Sequence, residues 1–294
     1  MTPANAGVLL VDKPAGVTSH DVVAAVRRLA GTRKVGHAGT LDPAATGLLV
    51  LGIGAGTRLL TYLSGLDKDY SATFCLGRQT STEDADGEVL GTPGIIASDA
   101  EIDCALAALT GDIEQVPSAY SAKKIGGVRA YDLARQGKSV KLKAASVRID
   151  RLERTGPVRR SGPLAIFDVE VTCSSGTYVR ALARQTALRL DSVGHITALR
   201  RHRVGPFHLS EAASMERLSE AASGGAIEPM SLAQAAGQVM EAREVNAAQA
   251  EDLRHGRTLA GQVTGPVALV RDGSLIAIGV PRRGGIGPAA VFSS

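Results

Sequence analysis

The apolar positions of residues 17–31 repeat with a helical period. They lie three or four positions apart, at Val22, Val23, Val26 and Leu29. Thr18 followed by Asp21 three positions later is a capping pattern at a helix start, and Gly31 is typical of a helix end. The segment therefore predicts an amphipathic helix.

Two later segments alternate between apolar and polar positions, which is the period of a half-buried strand. In residues 65–77 the apolar positions are Tyr70, Ala72, Phe74 and Leu76, and in residues 164–173 they are Phe167, Val169, Val171 and Cys173. We predict a helix around residues 99–109. A helical period returns after Thr177, which is expected to cap a helix with Tyr178 and Arg180 in its first turn.

The C-terminal part of the chain changes in character. Residues 219–240 are rich in Ala, Gly and Ser and predict a connector that passes into a short helix. Two apolar runs around Asp272 and Gly273 then predict a β-hairpin. Helices and strands mixed without regular βαβ alternation favour an α+β fold on a mixed sheet. We predict one domain over residues 1–240 and a small β-rich domain over residues 241–294.

Composition limits the class of protein. The chain has 294 residues, of which 44% are hydrophobic and 21% charged, enough for a substantial core. The early apolar run at residues 8–11 is too short for a signal peptide or a membrane span, so a cytoplasmic protein without a membrane partner is expected. Three widely spaced cysteines favour neither a disulfide framework nor a zinc site. The acidic segment at residues 81–89 lacks calcium-loop spacing and predicts a turn between strands.

Charge is distributed unevenly along the chain. Residues 122–160 hold 12 Lys and Arg against three acids, whereas the whole chain has a net charge of only +4. Such a stretch suits a polymer of phosphates, because each neutralised phosphate releases counterions. A solvated basic surface is the simpler interpretation.

One carboxylate lies in an unusually small and apolar setting. Asp42 is part of the sequence GHAGTLDPAATGLLVLGIGAG at residues 36–56. An isolated Asp-Pro pair is typical of a helix or turn start. Here Gly36 and Gly39 allow close approach of another group, and a charge over apolar ground needs a cation or a use in a reaction.

Six segments in this order resemble the bacterial tRNA pseudouridine synthases of the TruB family. They are residues 12–23, 36–49, 68–77, 82–89, 111–127 and 174–183, and the tail resembles the small PUA domain of that family. The resemblance covers residues 8–210 and implies a mostly antiparallel sheet. It also implies that the chain isomerises uridine 55 in the TΨC loop of tRNA, and it implies no cofactor or metal. The oligomeric state is left open, with a monomer preferred.

The resemblance implies roles for three residues in the chemistry. Asp42 matches the family's nucleophile, which stabilises or traps a developing oxocarbenium at the sugar of a flipped-out nucleotide. It either adds to the sugar or promotes elimination to a glycal. Arg180 matches the arginine that pairs with this acid and lowers its pKa against desolvation. Tyr70 matches the tyrosine that stacks on the uracil and takes the proton from carbon 5.

Further residues match positions that hold the RNA. His37 matches a wedge that stacks in the RNA, and Tyr178 and Leu199 match substrate contacts. Lys13 also belongs to this set, although its motif with Pro14 supports the loop of the active site. Backbone contacts are expected from the basic stretch, including Lys123, Lys124 and Arg129, and from the RRHR segment at residues 200–203.

Two other classes of protein remain open on residues alone. One is an RNA-binding or RNA-folding protein that uses the same basic groove without turnover. The other is a glycosidase or nucleosidase, which normally needs a second carboxylate as acid. No such partner is expected beside Asp42.

Overall fold

The chain forms one large sheet with helices on it and a smaller sheet at its C-terminal end. The computed structural model describes residues 5–118, 143–224 and 227–292, and the backbone of residues 124–125 and 128–129. The strands, β1 to β20, are Gly7–Lys13, Val35–His37, Thr46–Ile53, Lys68–Leu76, Gln79–Thr80, Val89–Gly91, Gly111–Gln115, Lys124–Ile125, Val128–Arg129, Ala145–Arg154, Arg159–Ser161, Leu164–Cys173, Gly194–Val204, Phe207–His208, Ala213–Ser214, Met230–Ser231, Glu241–Glu244, Val267–Arg271, Ser274–Arg282 and Gly285–Val291. The helices, α1 to α7, are Ser19–Leu29, Leu60–Leu63, Asp99–Ala107, Val179–Leu188, Met215–Gly224, Leu232–Val239 and Ala247–Arg254.

The large sheet is mixed and mostly antiparallel, as predicted. Its main order within the described residues is β15-β1-β3-β13-β4-β12-β10-β7. Along this path only β1 with β15 and β3 with β13 run parallel. The parallel step places the start of β3, just after Asp42, beside the middle of β13.

Most of the predicted elements are confirmed. The Thr18 hydroxyl caps α1 and accepts from the backbone N–H of Asp21, whose carboxylate accepts from the N–H of Thr18 in return. Helix α3, strands β4 and β12 and the hairpin of β18 and β19 lie where the patterns predict them. These elements repeat apolar residues at their own period, so local sequence determines them.

Two predictions about helix ends are wrong. Tyr178, not Thr177, is the N-cap of α4, and its N–H donates to Gln115 Oε1 at 2.7 Å. The Thr177 hydroxyl instead donates to the carbonyl of Ser174 at 2.9 Å. Residues 219–224 of the expected connector are the second half of α5, whereas the short helix predicted after the connector is present as α6.

The helices and the two sheets share apolar cores. One core packs β4 and β12 against α3 and α4, around Phe74 and Phe167. A second core joins β1 and β3 to the C-terminal sheet through Ile278 and Phe292. The C-terminal sheet is therefore packed on the body that carries Asp42.

No helix among the described residues is long and apolar enough to cross a membrane.

Candidate active site

The loop between β2 and β3 holds Asp42 at fixed backbone positions. The N–H of Leu41 donates to the Ser19 hydroxyl at 2.8 Å, and that hydroxyl donates to the Leu41 carbonyl at 3.0 Å. The Lys13 ammonium donates to the Pro43 carbonyl at 3.2 Å. The N–H of Ala45 donates to the Asp42 carbonyl at 3.1 Å, which closes a turn. Asp42 thus lies in a turn that leads into β3, not at a helix start.

Arg180 lies in the first turn of α4 and contacts the Asp42 carboxylate directly. Its Nε atom donates to Asp42 Oδ2 at 2.9 Å, and its side chain is only 4% exposed. Its Nη1 atom donates to the Thr82 carbonyl at 2.7 Å and to the Ser118 hydroxyl at 3.1 Å. A guanidinium held by these acceptors cannot rotate away, so it is a fixed positive charge beside Asp42.

A second carboxylate also lies beside Arg180, where none was expected. Asp84 Oδ2 is 3.8 Å from Arg180 Nη1, and the Asp84 side chain is 12% exposed. Asp84 Oδ1 accepts from the Thr82 hydroxyl and from the N–H of Asp86 at 3.1 Å. The acidic segment forms the predicted turn between β5 and β6, but it also folds across onto Arg180. The expectation that Asp42 lacks a neighbouring acid is therefore wrong.

Burial and charge act in opposite directions on Asp42. Desolvation raises the pKa of Asp42 above its usual value, and the charge of Asp84 raises it further. The Arg180 guanidinium lowers that pKa but does not cancel the effect of burial. The expected lowering by Arg180 is present, whereas the net shift is upward. The site thus holds a carboxylate whose proton affinity is increased.

One oxygen of Asp42 is held and the other is available. Among the described residues only Oδ2 has a partner, and the side chain remains 38% exposed. Asp42 opens into a small cleft lined by Ala44, Ala45, Asp84, Ala85 and residues 196–199. Leu199, an expected substrate contact, therefore lies in this cleft. An available carboxylate oxygen at an apolar wall is suited to act on an electron-poor carbon.

Tyr70 lies in β4, between β12 and β13 of the large sheet. It pairs in register with Val171 on one side and with Arg201 on the other. Burial raises the pKa of the Tyr70 phenol, and the neighbouring Arg201 guanidinium opposes this shift. The Asp42 carboxylate contributes a further, smaller rise. Tyr70 is thus protonated at neutral pH, and the negative charge of Asp42 is close enough to affect its pKa.

Lys13 supports the loop and is placed differently from an expected substrate contact. Its side chain is completely buried, and its ammonium donates to the carbonyls of Pro14 and Val17, both at 2.8 Å, as well as to Pro43. Burial lowers the pKa of Lys13 to about 8, while the Asp42 carboxylate acts in the opposite direction. A side chain without exposed surface cannot contact RNA, so Lys13 positions the main chain around Asp42.

His37 and Tyr178 lie outside the cleft. His37 ends β2 and is partly exposed, and its ring packs edge-on against His20, with centroids 5.5 Å apart. Tyr178 is partly exposed at the N-cap of α4, two residues before Arg180. Neither side chain lines the cleft with Asp42. Their expected contacts with the RNA therefore remain predictions.

The described part of the basic stretch is neutralised by carboxylates. The side chains of Lys123, Lys124 and Arg129 lie outside the described residues. In the described portion, five arginines each form an ion pair with Asp or Glu: Arg148, Arg151, Arg154, Arg159 and Arg160. In residues 143–160 the positive charge of these arginines is therefore balanced by carboxylates of the fold.

The RRHR segment at residues 200–203 is also occupied by internal contacts. Arg200 pairs with Asp12 and Arg203 with Asp69, each through two hydrogen bonds. Arg201 is 1% exposed and donates to the carbonyls of Leu48 and Gly39. Arg201 cannot follow an RNA backbone, because its guanidinium is inside the protein.

Sequence reasoning missed Asp84 and Arg201. Asp84 lies in residues 82–89, one of the six segments that carry the family resemblance. That resemblance was the signal that could have identified Asp84 as a site residue. For Arg201 only its position in β13, the strand of Leu199, gave an indication. Both act through contacts between residues far apart in sequence.

Comparisons with known proteins agree with this geometry. A family model described as TruB family pseudouridylate synthase (N terminal domain) matches residues 27–179. A protein named tRNA pseudouridine synthase B from Mycobacterium sp. (strain KMS) is 51% identical over 278 residues, which cover 92% of this chain and 91% of the relative. A protein of the same name from Thermobifida fusca (strain YX) is 47% identical and covers 98% of both chains.

The fold is also found among solved structures. A chain of an H/ACA RNP bound to a substrate RNA containing 2′-deoxyuridine superimposes with a TM-score of 0.70. It is 24% identical and covers 98% of this chain and 85% of that chain, which supports the fold alone. The family match extends over half of the chain, and the relatives extend over nearly all of it. The chain therefore belongs to the TruB family of pseudouridylate synthases.

Proposed function

We propose that the protein converts uridine 55 in the TΨC loop of tRNA to pseudouridine, with Asp42 as the nucleophile. The observation that carries this proposal is the Asp42 carboxylate, with one oxygen bound to the buried Arg180 and the other open to the cleft. The tRNA substrate follows from the name of the relatives, which are about half identical over most of the chain.

The chemistry rearranges bonds without net oxidation or hydrolysis. The bond between C1′ and N1 breaks, the uracil turns, a bond between C1′ and C5 forms, C5 loses a proton and N1 gains one. Asp42 either adds to C1′ through Oδ1 and leaves again when C5 bonds to C1′, or removes a proton from C2′ to give a glycal and returns that proton when the new bond forms. Both routes need Asp42 ionised, and Arg180 compensates that charge inside the protein.

Tyr70 supplies an aromatic face and a proton acceptor. Its ring stacks on the uracil. Its oxygen takes the C5 proton as the phenolate, after the phenol proton has passed to solvent water, and the C5 proton then exchanges into the same solvent. Burial makes the phenolate costly, and the Arg201 guanidinium beside Tyr70 reduces this cost. Arg201 thus acts on the reaction through Tyr70.

The RNA must present an extruded nucleotide, because a base stacked in a folded RNA loop keeps its sugar out of reach of Asp42. His37 takes the space left in the RNA, and Tyr178 and Leu199 contact the extruded nucleotide. Lys123, Lys124 and Arg129 contact the backbone. Residues 1–240 form the catalytic domain, residues 241–294 form a PUA-like RNA-binding domain, and the protein works as a monomer in the cytoplasm.

Two other functions are less well supported. A nucleosidase needs a proton-donating acid, but Asp84 Oδ1 already accepts two hydrogen bonds and Oδ2 lies beside Arg180. Both oxygens of Asp84 therefore already have partners inside the protein. An RNA-binding protein without turnover would not need a desolvated Asp42 with increased proton affinity.

The proposal is tested by the release of tritium from tRNA labelled at C5 of its uridines. We expect release equivalent to one uridine per tRNA. A transcript with cytidine at position 55 is the matched control, and it should release none. Release from the control equal to that from the normal transcript would disprove the choice of position, and free uracil as the product would indicate a nucleosidase.

The charge of Asp84 predicts a pH effect on catalysis. The acid limb of the single-turnover rate follows the ionisation of Asp42, so its midpoint should lie above 3.8. Because Asp84 raises the pKa of Asp42, Asp84→Asn should move that limb to lower pH. The measurement is the rate of pseudouridine formation between pH 4 and 8 in both proteins. An unchanged limb would contradict the coupling between the two acids.

A further inference from the structure

The ion pairs of the structure show where positive charge remains uncompensated. Most surface arginines of the described stretch 143–160 face carboxylates, as described above. A different cluster has no ion pair among the described residues: Arg27, Arg28, Arg33 and Lys34, which we call the α1–β2 patch. All four side chains are exposed. Residues 22–41 contain no Asp or Glu, so this part of the chain brings no counter-charge of its own.

The acids nearest in the fold do not neutralise the patch. Asp21 at the other end of α1 is engaged by Thr18. Helix α5 packs against α1 and carries Glu216 and Glu220, and neither forms an ion pair with the patch in the described structure. Four exposed cations within eight positions therefore form a site of positive potential.

The patch lies on the elements that carry the two histidine rings. Lys34 is three residues before His37, which at about 3.3 Å per extended residue is roughly 10 Å along the chain. His20 is the second residue of α1 and contacts His37, while Arg27 near the end of α1 donates to the Val35 carbonyl at 2.9 Å. The patch and His37 are thus joined through α1, β2 and the short connection between them.

We propose that the α1–β2 patch binds the phosphate backbone of the substrate tRNA beside the nucleotide that enters the cleft. This inference rests on the proposed function for the identity of the RNA. An RNA strand that passes His37 comes within reach of Arg33 and Lys34 within a few nucleotides. Exposed cations on folded elements bind phosphates without ordering a flexible segment.

A purely structural role explains only part of the patch. Arg27 and Arg28 lie in the last turn of α1, where cations stabilise the helix dipole. Arg33 and Lys34 lie beyond the helix, and this role does not apply to them. Arg27 also holds Val35, so the test leaves it in place.

The test compares two triple variants with the same loss of charge. Arg28→Gln, Arg33→Gln and Lys34→Gln remove patch charge, whereas Arg151→Gln, Arg159→Gln and Arg160→Gln remove exposed arginines that already pair with carboxylates. Binding of an unmodified tRNA transcript is measured as a function of salt, together with the melting temperature of each protein. Single-turnover pseudouridine formation is measured at saturating tRNA.

We expect the patch variant to bind about tenfold or more weakly at low salt. Each lost phosphate contact lowers the slope of log affinity against log salt by about 0.7 to 0.9, so the slope should fall by about two. The rate at saturating tRNA should stay within about twofold of wild type, and the control triple should retain the wild-type slope.

Several results would overturn the inference. These are an unchanged slope in the patch variant, an equal loss in the control, and a lost rate at saturating tRNA. The proposed function fails separately: a wild-type protein that binds tRNA without forming pseudouridine would disprove the activity and leave the comparison of slopes valid.

Discussion

Asp42→Asn is expected to lower the single-turnover rate of pseudouridine formation by about 10⁴-fold or more, since loss of a nucleophile removes the chemical step itself. An amide is a poor nucleophile and a poor base, so both routes from Asp42 are blocked. Affinity for tRNA should stay within about threefold of wild type, because the substitution changes one group in the cleft and leaves the RNA-binding surface intact. Rapid-quench kinetics and filter binding measure the two quantities.

Asp86→Asn is the matched control for this experiment. Asp86 is exposed and lies two residues after Asp84, and its contact with Asp84 is made by the backbone N–H. The same change of Asp to Asn there should leave the rate near that of wild type. An Asp42→Asn protein within tenfold of the wild-type rate would contradict the role of Asp42.

Arg180→Met is expected to lower both activity and stability. The change leaves Asp42 and Asp84 without the guanidinium that compensates them. Breaking a buried charge pair costs about 3 to 5 kcal/mol of unfolding free energy, and loss of the fixed positive charge slows the reaction by about 10²- to 10³-fold. Urea unfolding and single-turnover kinetics measure the two effects.

The loss of stability in Arg180→Met should depend on pH. Burial already raises the pKa of Asp42, and without Arg180 that folded-state pKa rises further above its unfolded value, so the unfolded chain binds fewer protons in that range. The penalty is largest at neutral pH and decreases as the pH falls and Asp42 becomes protonated. The difference in unfolding free energy between wild type and variant should therefore shrink toward pH 4. A constant difference would show that the lost stability comes from packing.

Arg184→Met serves as the control on the same helix. Arg184 also forms an ion pair, with Glu83, but it does not line the cleft with Asp42. Its loss should destabilise the protein while the rate of pseudouridine formation remains within about tenfold of wild type. An equal loss of rate in both variants would mean that Arg180 acts only by holding the fold.

Local sequence was sufficient to predict the elements that carry the site. The capping pair of Thr18 and Asp21 and the alternation around Tyr70 are contained within a few residues, so the chain specifies them without help from the rest of the fold. The resemblance to a family supplied the pairing of Asp42 with Arg180. Nothing in the spacing of these two residues indicates their contact.

The contacts of charged residues could not be predicted in this way. Arg148 and Arg159 belong to a stretch of the sequence that is rich in positive charge. In the fold, however, Arg148 in β10 pairs with Asp67, and Arg159 in β11 pairs with Asp168. Asp84 is drawn to Arg180 by the folding of a turn onto α4. Charge along a chain is therefore a poor guide to charge on a surface, because ion pairs form between distant segments.

A map of pseudouridine at single-nucleotide resolution, after exhaustive reaction of unmodified tRNA, tests the position and the nucleophile together. We predict one pseudouridine, at position 55, after treatment with the wild-type protein, and none after treatment with Asp42→Asn. Pseudouridine at position 55 made by the Asn variant, or a wild-type product at another position only, would contradict this prediction.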